Sequence, residues 1–140
     1  MGRRTLAGIA GAALLLACAA ACGTLAAPTA WAPGNRQPLI LGWQQFFRIQ
    51  WDGTTRNGQT VVEGYIENTW NFTAQRIQIL ITGYDAAGRQ LGQLIAWGPG
   101  EITPGNRRFF SVAVAPGATT YDVSMFAWDW VQVGGGVDLP

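Results

Sequence analysis

The sequence predicts an all-β protein, an antiparallel immunoglobulin-like β-sandwich of six to seven strands preceded by a signal peptide and a Pro-rich tether. Three observations predict it. From Leu39 onward apolar and polar residues alternate at period two, and turn-forming pairs recur about every 8 to 15 residues. No window shows a helical period. A small closed barrel is the alternative way to arrange the same strands.

The chain begins "MGRRTLAGIAGAALLLACAAACG". Arg3 and Arg4 precede an uncharged apolar run, Thr5 to Ala17, and small residues follow, which is the three-part pattern of an export leader. The run is too short for a permanent transmembrane helix, which needs about 18 to 20 apolar residues. A buried core helix would show polar positions every third or fourth residue, and none occur. Residues 1–21 are therefore expected to be a lipoprotein signal peptide.

Both cysteines of the chain, Cys18 and Cys22, stand at the end of this run. A cysteine after an apolar run and small residues resembles the lipobox of bacterial lipoproteins, where its thiol receives a diacylglycerol. "AAAC" offers Cys22 and "LLAC" offers Cys18, with Cys22 favoured by the Gly23 that follows and by leader length. A structural disulfide is disfavoured, because neither cysteine has a partner in the body of the chain. Two acyl chains hold a protein stably at a bilayer where one does not, so lipidation implies a lasting membrane anchor. The double arginine also matches a twin-arginine signal, although such a pair more often supplies only the positive charge of the leader.

Residues 22–38 form the expected flexible tether, rich in proline (Pro28, Pro33, Pro38) and without periodicity. Extended Pro-rich chain covers about 3 Å per residue, so it could lift a domain up to about 50 Å from a membrane.

Residues 39–133 are expected to be the sandwich. "FFRIQW" sets Phe47, Ile49 and Trp51 against Arg48 and Gln50. Asp52-Gly53 and Asn57-Gly58 are both turn-forming pairs. "TVVEGYIEN" places Val62, Gly64 and Ile66 opposite Glu63 and Glu67, and "QRIQILITGYD" places Ile77, Ile79 and Ile81 opposite Arg76, Gln78 and Thr82. Asp85 to Gly88 reads as a turn, "QLGQLIAW" as a further strand, and Pro104-Gly105 as the central pair of a type II turn. "RRFFSVAV" and "YDVSMFAWDW" complete the set, and residues 134–140 have the composition of a disordered tail.

The chemistry available is limited. The chain has no histidine, so the usual base of serine and cysteine triads and the commonest zinc ligand are missing. Beyond the leader, seven arginines face eight acids, which leaves no basic stripe for nucleic acid. Glu63 and Glu67 share a strand face but lie roughly 13 Å apart at ~3.3 Å per residue, beyond the separation of glycosidase pairs. No loop gathers acids at calcium-ligand spacing, and "GPGEITPG" lacks a phosphate-loop lysine. No enzyme, no metal and no cofactor are expected.

The surplus is aromatic, with seven tryptophans. Alternation puts Phe126, Trp128 and Trp130 on one face of the last strand and Val123, Met125 and Ala127 on the other. Either that strand is buried on both sides, or one face is an exposed aromatic strip able to bind glycan rings or a protein. Trp70, in the loop "NTWNFT", is expected at the surface. Trp70, Phe126, Trp128 and Trp130 are thus the candidate binding surface.

"VVEGYIENTWNFTAQRIQILITGYDAAGRQLG", followed by "EITPGNRRFFSVAV", resembles the FxLYD domain family of bacterial, often lipid-anchored, envelope proteins. Gly64, Ile66 and Asn68 match its first strand, Tyr84, Asp85 and Gly88 its second strand and turn, and Pro104, Gly105 and Phe110 its third element. Ile81 and Gly83 stand where the name-giving motif has phenylalanine and leucine. The resemblance covers about half the chain and implies an immunoglobulin-like sandwich at the cell envelope, without catalytic residues. Asn68, Asp85, Gly88, Pro104 and Gly105 read as turn residues of the fold.

The expectation is a non-catalytic, lipid-anchored envelope module that binds a partner protein or a cell-wall glycan. It would sit on the outer face of the cytoplasmic membrane or at the outer membrane. The alternative is a structural accessory subunit joined to a complex by β-strand addition.

Overall fold

The computed structural model describes residues 30–132. The leader, Cys18 and Cys22, and the tail 134–140 lie outside the described residues. A 3₁₀ turn, Trp43–Gln45, leads into six strands: β1 (Phe47–Arg56), β2 (Gln59–Asn68), β3 (Ala74–Tyr84), β4 (Gln90–Trp97), β5 (Arg107–Ala113) and β6 (Thr120–Trp130). They form two antiparallel three-stranded sheets, β1-β2-β5 and β4-β3-β6. Among the described residues this is the A-B-E and C′-C-F strand order of an immunoglobulin-type sandwich. The expected all-β sandwich is present, with six strands.

Alternation explains the core. Val62 and Ile66 of β2, Ile77, Ile79 and Ile81 of β3, and Val123 and Met125 of β6 are buried between the sheets with Phe47 and Phe110. Each such side chain contributes roughly 1.5–3 kcal/mol by leaving water. The β1–β2 hairpin turns at Asn57-Gly58, where both residues have positive φ (50° and 76°), the conformation of a two-residue type I′ turn. Asp52-Gly53, the other expected turn, instead lies within β1, with Gly53 opposite Val62. Glycine stands there because the Tyr121 ring occupies the space that a β-carbon would fill.

Two bulges in the β3–β6 pair correct the simple alternation. β3 holds an extra residue between Gln75 and Gln78, where Arg76 has φ 50°, and Phe126 is an extra residue in β6 between Met125 and Ala127. Each bulge reverses the facing of the residues beyond it. Ala74 and Ile77 therefore both point inward, as do Met125 and Trp128. The predicted strip of Phe126, Trp128 and Trp130 is broken: Trp128 is a core residue, only 6% exposed, while Phe126 is half-buried and out of phase with it.

The tether expectation also needs correction over its last residues. Ala32 bridges Gln93 of β4, with Ala32 N donating to Gln93 O (3.3 Å) and Gln93 N donating to Ala32 O (2.9 Å). The chain then runs over the outer face of the β4-β3-β6 sheet as a strap. At the far edge, Leu39 N donates to Phe126 O (2.9 Å). Leu80 and Thr82, which alternation alone would leave in water, are buried at 3% and 5% exposure.

Candidate functional site

Six aromatic residues, Phe46, Phe47, Trp70, Phe72, Trp128 and Trp130, form one cluster. Phe47 stacks on Trp130 with centroids 5.6 Å apart and meets Trp128 edge-on at 5.0 Å. Phe46 meets Trp70 edge-on at 4.8 Å and Trp130 at 5.7 Å. These offset and edge-to-face arrangements are the ones that the ring quadrupole favours. Of the four residues proposed from sequence, Trp70 is exposed and Trp130 half-buried, so both reach the surface, beside exposed Phe72. Trp128 lies beneath them as support. Phe126 does not join this group.

Asn68 organises the loop that carries Trp70. It is fully buried at the end of β2. Its Nδ2 donates to Phe72 O (2.7 Å) and Ile102 O (2.8 Å), and its Oδ1 accepts from Trp70 N (2.9 Å). Both amide protons and the carbonyl are used, so burial leaves no unmet demand. Its backbone N–H donates to Asn106 O, and its carbonyl accepts from Gly105 N. Pro104 and Gly105 form the neighbouring turn, with Gly105 at φ 73° and Asn106 N donating to Thr103 O (3.1 Å), as a type II turn requires. At the other end of β3, Asp85 Oδ1 accepts from Ala87 N and Arg89 N, both at 2.9 Å, while Gly88 N donates to Asp85 O (3.0 Å).

Three carboxylates, Glu63, Asp85 and Asp129, pair with arginines. Arg56 donates twice to Glu63 at 2.7 Å, and this bond holds the Glu63 carboxyl below its ordinary value and raises the Arg56 guanidinium. Arg89 pairs with Asp85 at 3.0 Å and Arg76 with Asp129 at 3.4 Å. Among the described residues no three His, Cys, Asp or Glu side chains are grouped to hold a metal ion.

A second feature was not foreseen from sequence. Between the strap and the sheet lies a cleft of about 290 Å³. Its floor is Leu80, Thr82 and Gln93; its walls include Arg36 and Gln37 of the strap, Trp43, Gln90, and Asp122 with Ser124 on β6. Gln93 fixes the strap. Its Oε1 accepts from Arg36 N (2.6 Å), and its Nε2 donates to Arg36 O (3.1 Å) and Thr82 Oγ1 (3.3 Å). Gln90 Nε2 donates to Gly34 O (2.6 Å). The cleft is therefore preformed, with polar groups held on a rigid sheet. Nothing in the sequence singled it out: Gln90 and Gln93 fall there in a strand, and Arg36 and Gln37 in the tether.

The outer face of the other sheet shows an exposed pair, Tyr65 and Phe109, with centroids 5.5 Å apart and the Arg107 guanidinium 4.7 Å from the Tyr65 ring centroid. Comparison with protein-family models, with curated proteins and with solved structures finds no match.

Proposed function

We propose that the chain is a non-catalytic binding module of the cell envelope, lipid-anchored through Cys22 or, failing that, Cys18. The module takes a cell-wall glycan or a partner protein. The leader and its two cysteines support the anchor, and the FxLYD-like elements support the envelope setting. The observation that carries the binding role is the strap cleft, a preformed concave site whose side chains offer hydrogen bonds. The chemistry of those side chains supports binding: amides, hydroxyls, one carboxylate and one guanidinium recognise polar ligands.

The test is co-sedimentation of the purified chain with isolated cell-wall material and with membranes, joined to mass spectrometry of the N-terminal peptide. An acylated cysteine and saturable retention on the wall or on a membrane partner are the expected results. An unmodified N-terminus with Met1 intact, and no retention on either fraction, would refute the reading.

A second reading, an accessory subunit joined by β-strand addition, is favoured by sheet β1-β2-β5. Among the described residues neither β1 nor β5 pairs with a further strand on its outer side, whereas β4 is engaged by Ala32. Of two consecutive strand N–H groups, one points away from the paired neighbour. Proline placed in turn at Ser111 and Val112 should, at one of the two, leave the fold intact and abolish recovery of a strand-added complex. If neither does, the second reading fails.

A further inference from the structure

We propose that the strap cleft binds one neutral sugar ring, a reading that rests on the binding role above and names its ligand class. Three observations converge on it. Size comes first: about 290 Å³ lies at the small end of the roughly 300–1,000 Å³ range of small-molecule sites, which suits a single ring.

Chemistry comes second. Sugar hydroxyls both donate and accept, and so do the lining amides and hydroxyls of Gln37, Gln44, Tyr84 and Ser124. Asp122 adds an acceptor on β6, two residues from Ser124 and so on the same strand face, roughly 7 Å away. Neither the Asp122 carboxylate nor the Ser124 hydroxyl has a partner among the described residues, whereas Gln93 is fully engaged in holding the walls. Trp43 supplies an aromatic wall against which the C–H face of a ring can pack.

Exclusion of other ligands comes third. Arg36 and Asp122 give the cleft one charge of each sign, which attracts neither a polyanion nor a polycation. An extended peptide would need a sheet edge beside the cleft, but Ala32 engages β4 at Gln93 and Leu39 engages β6 at Phe126. An apolar ligand would leave the lining amides unpaired.

The experiment is protein-observed NMR of the full-length chain in a sugar-free detergent, titrated separately with glucose, N-acetylglucosamine, galacturonate and glucosamine. Saturable shifts at Thr82, Gln93 and Ser124 are expected with the two neutral rings, and weaker ones with the charged rings. Asp122→Ala and Ser124→Ala, both at positions open to the cleft, should each weaken neutral-ring binding about tenfold. Phe109→Ala, on the outer face of the other sheet, should not.

The proposal is overturned if no neutral ring shifts the cleft residues, if a charged ring binds tenfold more tightly, or if the two cleft variants bind like the parent. Its failure separates from that of the binding role. If Asp122→Ala and Ser124→Ala still sediment with cell-wall material as the parent does, the module stands and the cleft assignment falls. If the parent fails to sediment but its cleft shifts with sugar, the reverse holds.

Discussion

The Trp31 indole fills the space above Gly83: its Cζ2 stands 2.7 Å from where a β-carbon on that glycine would lie. The same side chain closes on Gly92, whose β-carbon would stand 2.7 Å from Trp31 Cβ, and on the Tyr121 ring at 6.2 Å. Two glycines on adjacent strands make a seat for one tryptophan.

Gly83→Ala should therefore unseat Trp31. Overpacking of this kind costs about 1–3 kcal/mol, and thermal unfolding should show a drop of several degrees. Limited proteolysis should find new cleavage between residues 33 and 38, because the strap loses its inner anchor. An unchanged melting temperature with an unchanged digestion pattern would contradict this account of the seat.

Asn68→Ala should cost about 3 kcal/mol, since it leaves the carbonyls of Phe72 and Ile102 and the N–H of Trp70 without their partner. Denaturant unfolding measures it. Asn68→Asp should be worse than Asn68→Ala near neutral pH, because a carboxylate cannot donate to two carbonyls, and should recover as acid protonates it. The recovery on acidification is the sign that distinguishes lost donors from lost packing.

Gln93→Ala should loosen the strap more than it lowers global stability, because Arg36 is exposed and water replaces part of what is lost. A global cost of about 1–2 kcal/mol is expected. Hydrogen exchange at the Arg36 and Ala32 amides should accelerate, while the Ile79 and Ile81 amides keep their protection.

Burial raises the Tyr121 phenol above its ordinary value. A raised value in the folded state means that stability is fully present below the unfolded value near 10 and is lost as pH climbs through the folded one. The parent should lose stability relative to Tyr121→Phe as pH rises above about 10, measured by unfolding across the alkaline range. Parallel pH profiles for the two proteins would disprove it.

The strands were legible in the sequence because their facing depends on neighbours two residues away, as with Val62, Gly64 and Ile66. The turns at Asn57-Gly58, Asp85–Gly88 and Pro104-Gly105 were legible for a similar reason: their chemistry is local. What alternation missed is what one strand imposes on another. Phe126 leaves register in β6 beside an extra residue near Arg76 in β3, and Gly53 pairs with Val62 in a strand while Tyr121, 68 residues later, lies over it. The cleft was hidden likewise. Proline-rich composition describes both a loose linker and a strap, and the residue that decides, Gln93, meets Arg36 across 57 positions of chain.

The Ala32–Gln93 bridge shortens the leash that any anchor on Cys22 would have. Ala32 lies ten positions after Cys22, and at about 3.5 Å per position the chain between them reaches no further than about 35 Å. A lipidated protein would thus ride close above the headgroups and hang from its β4 border, leaving the β1 side freest to sweep the space around it.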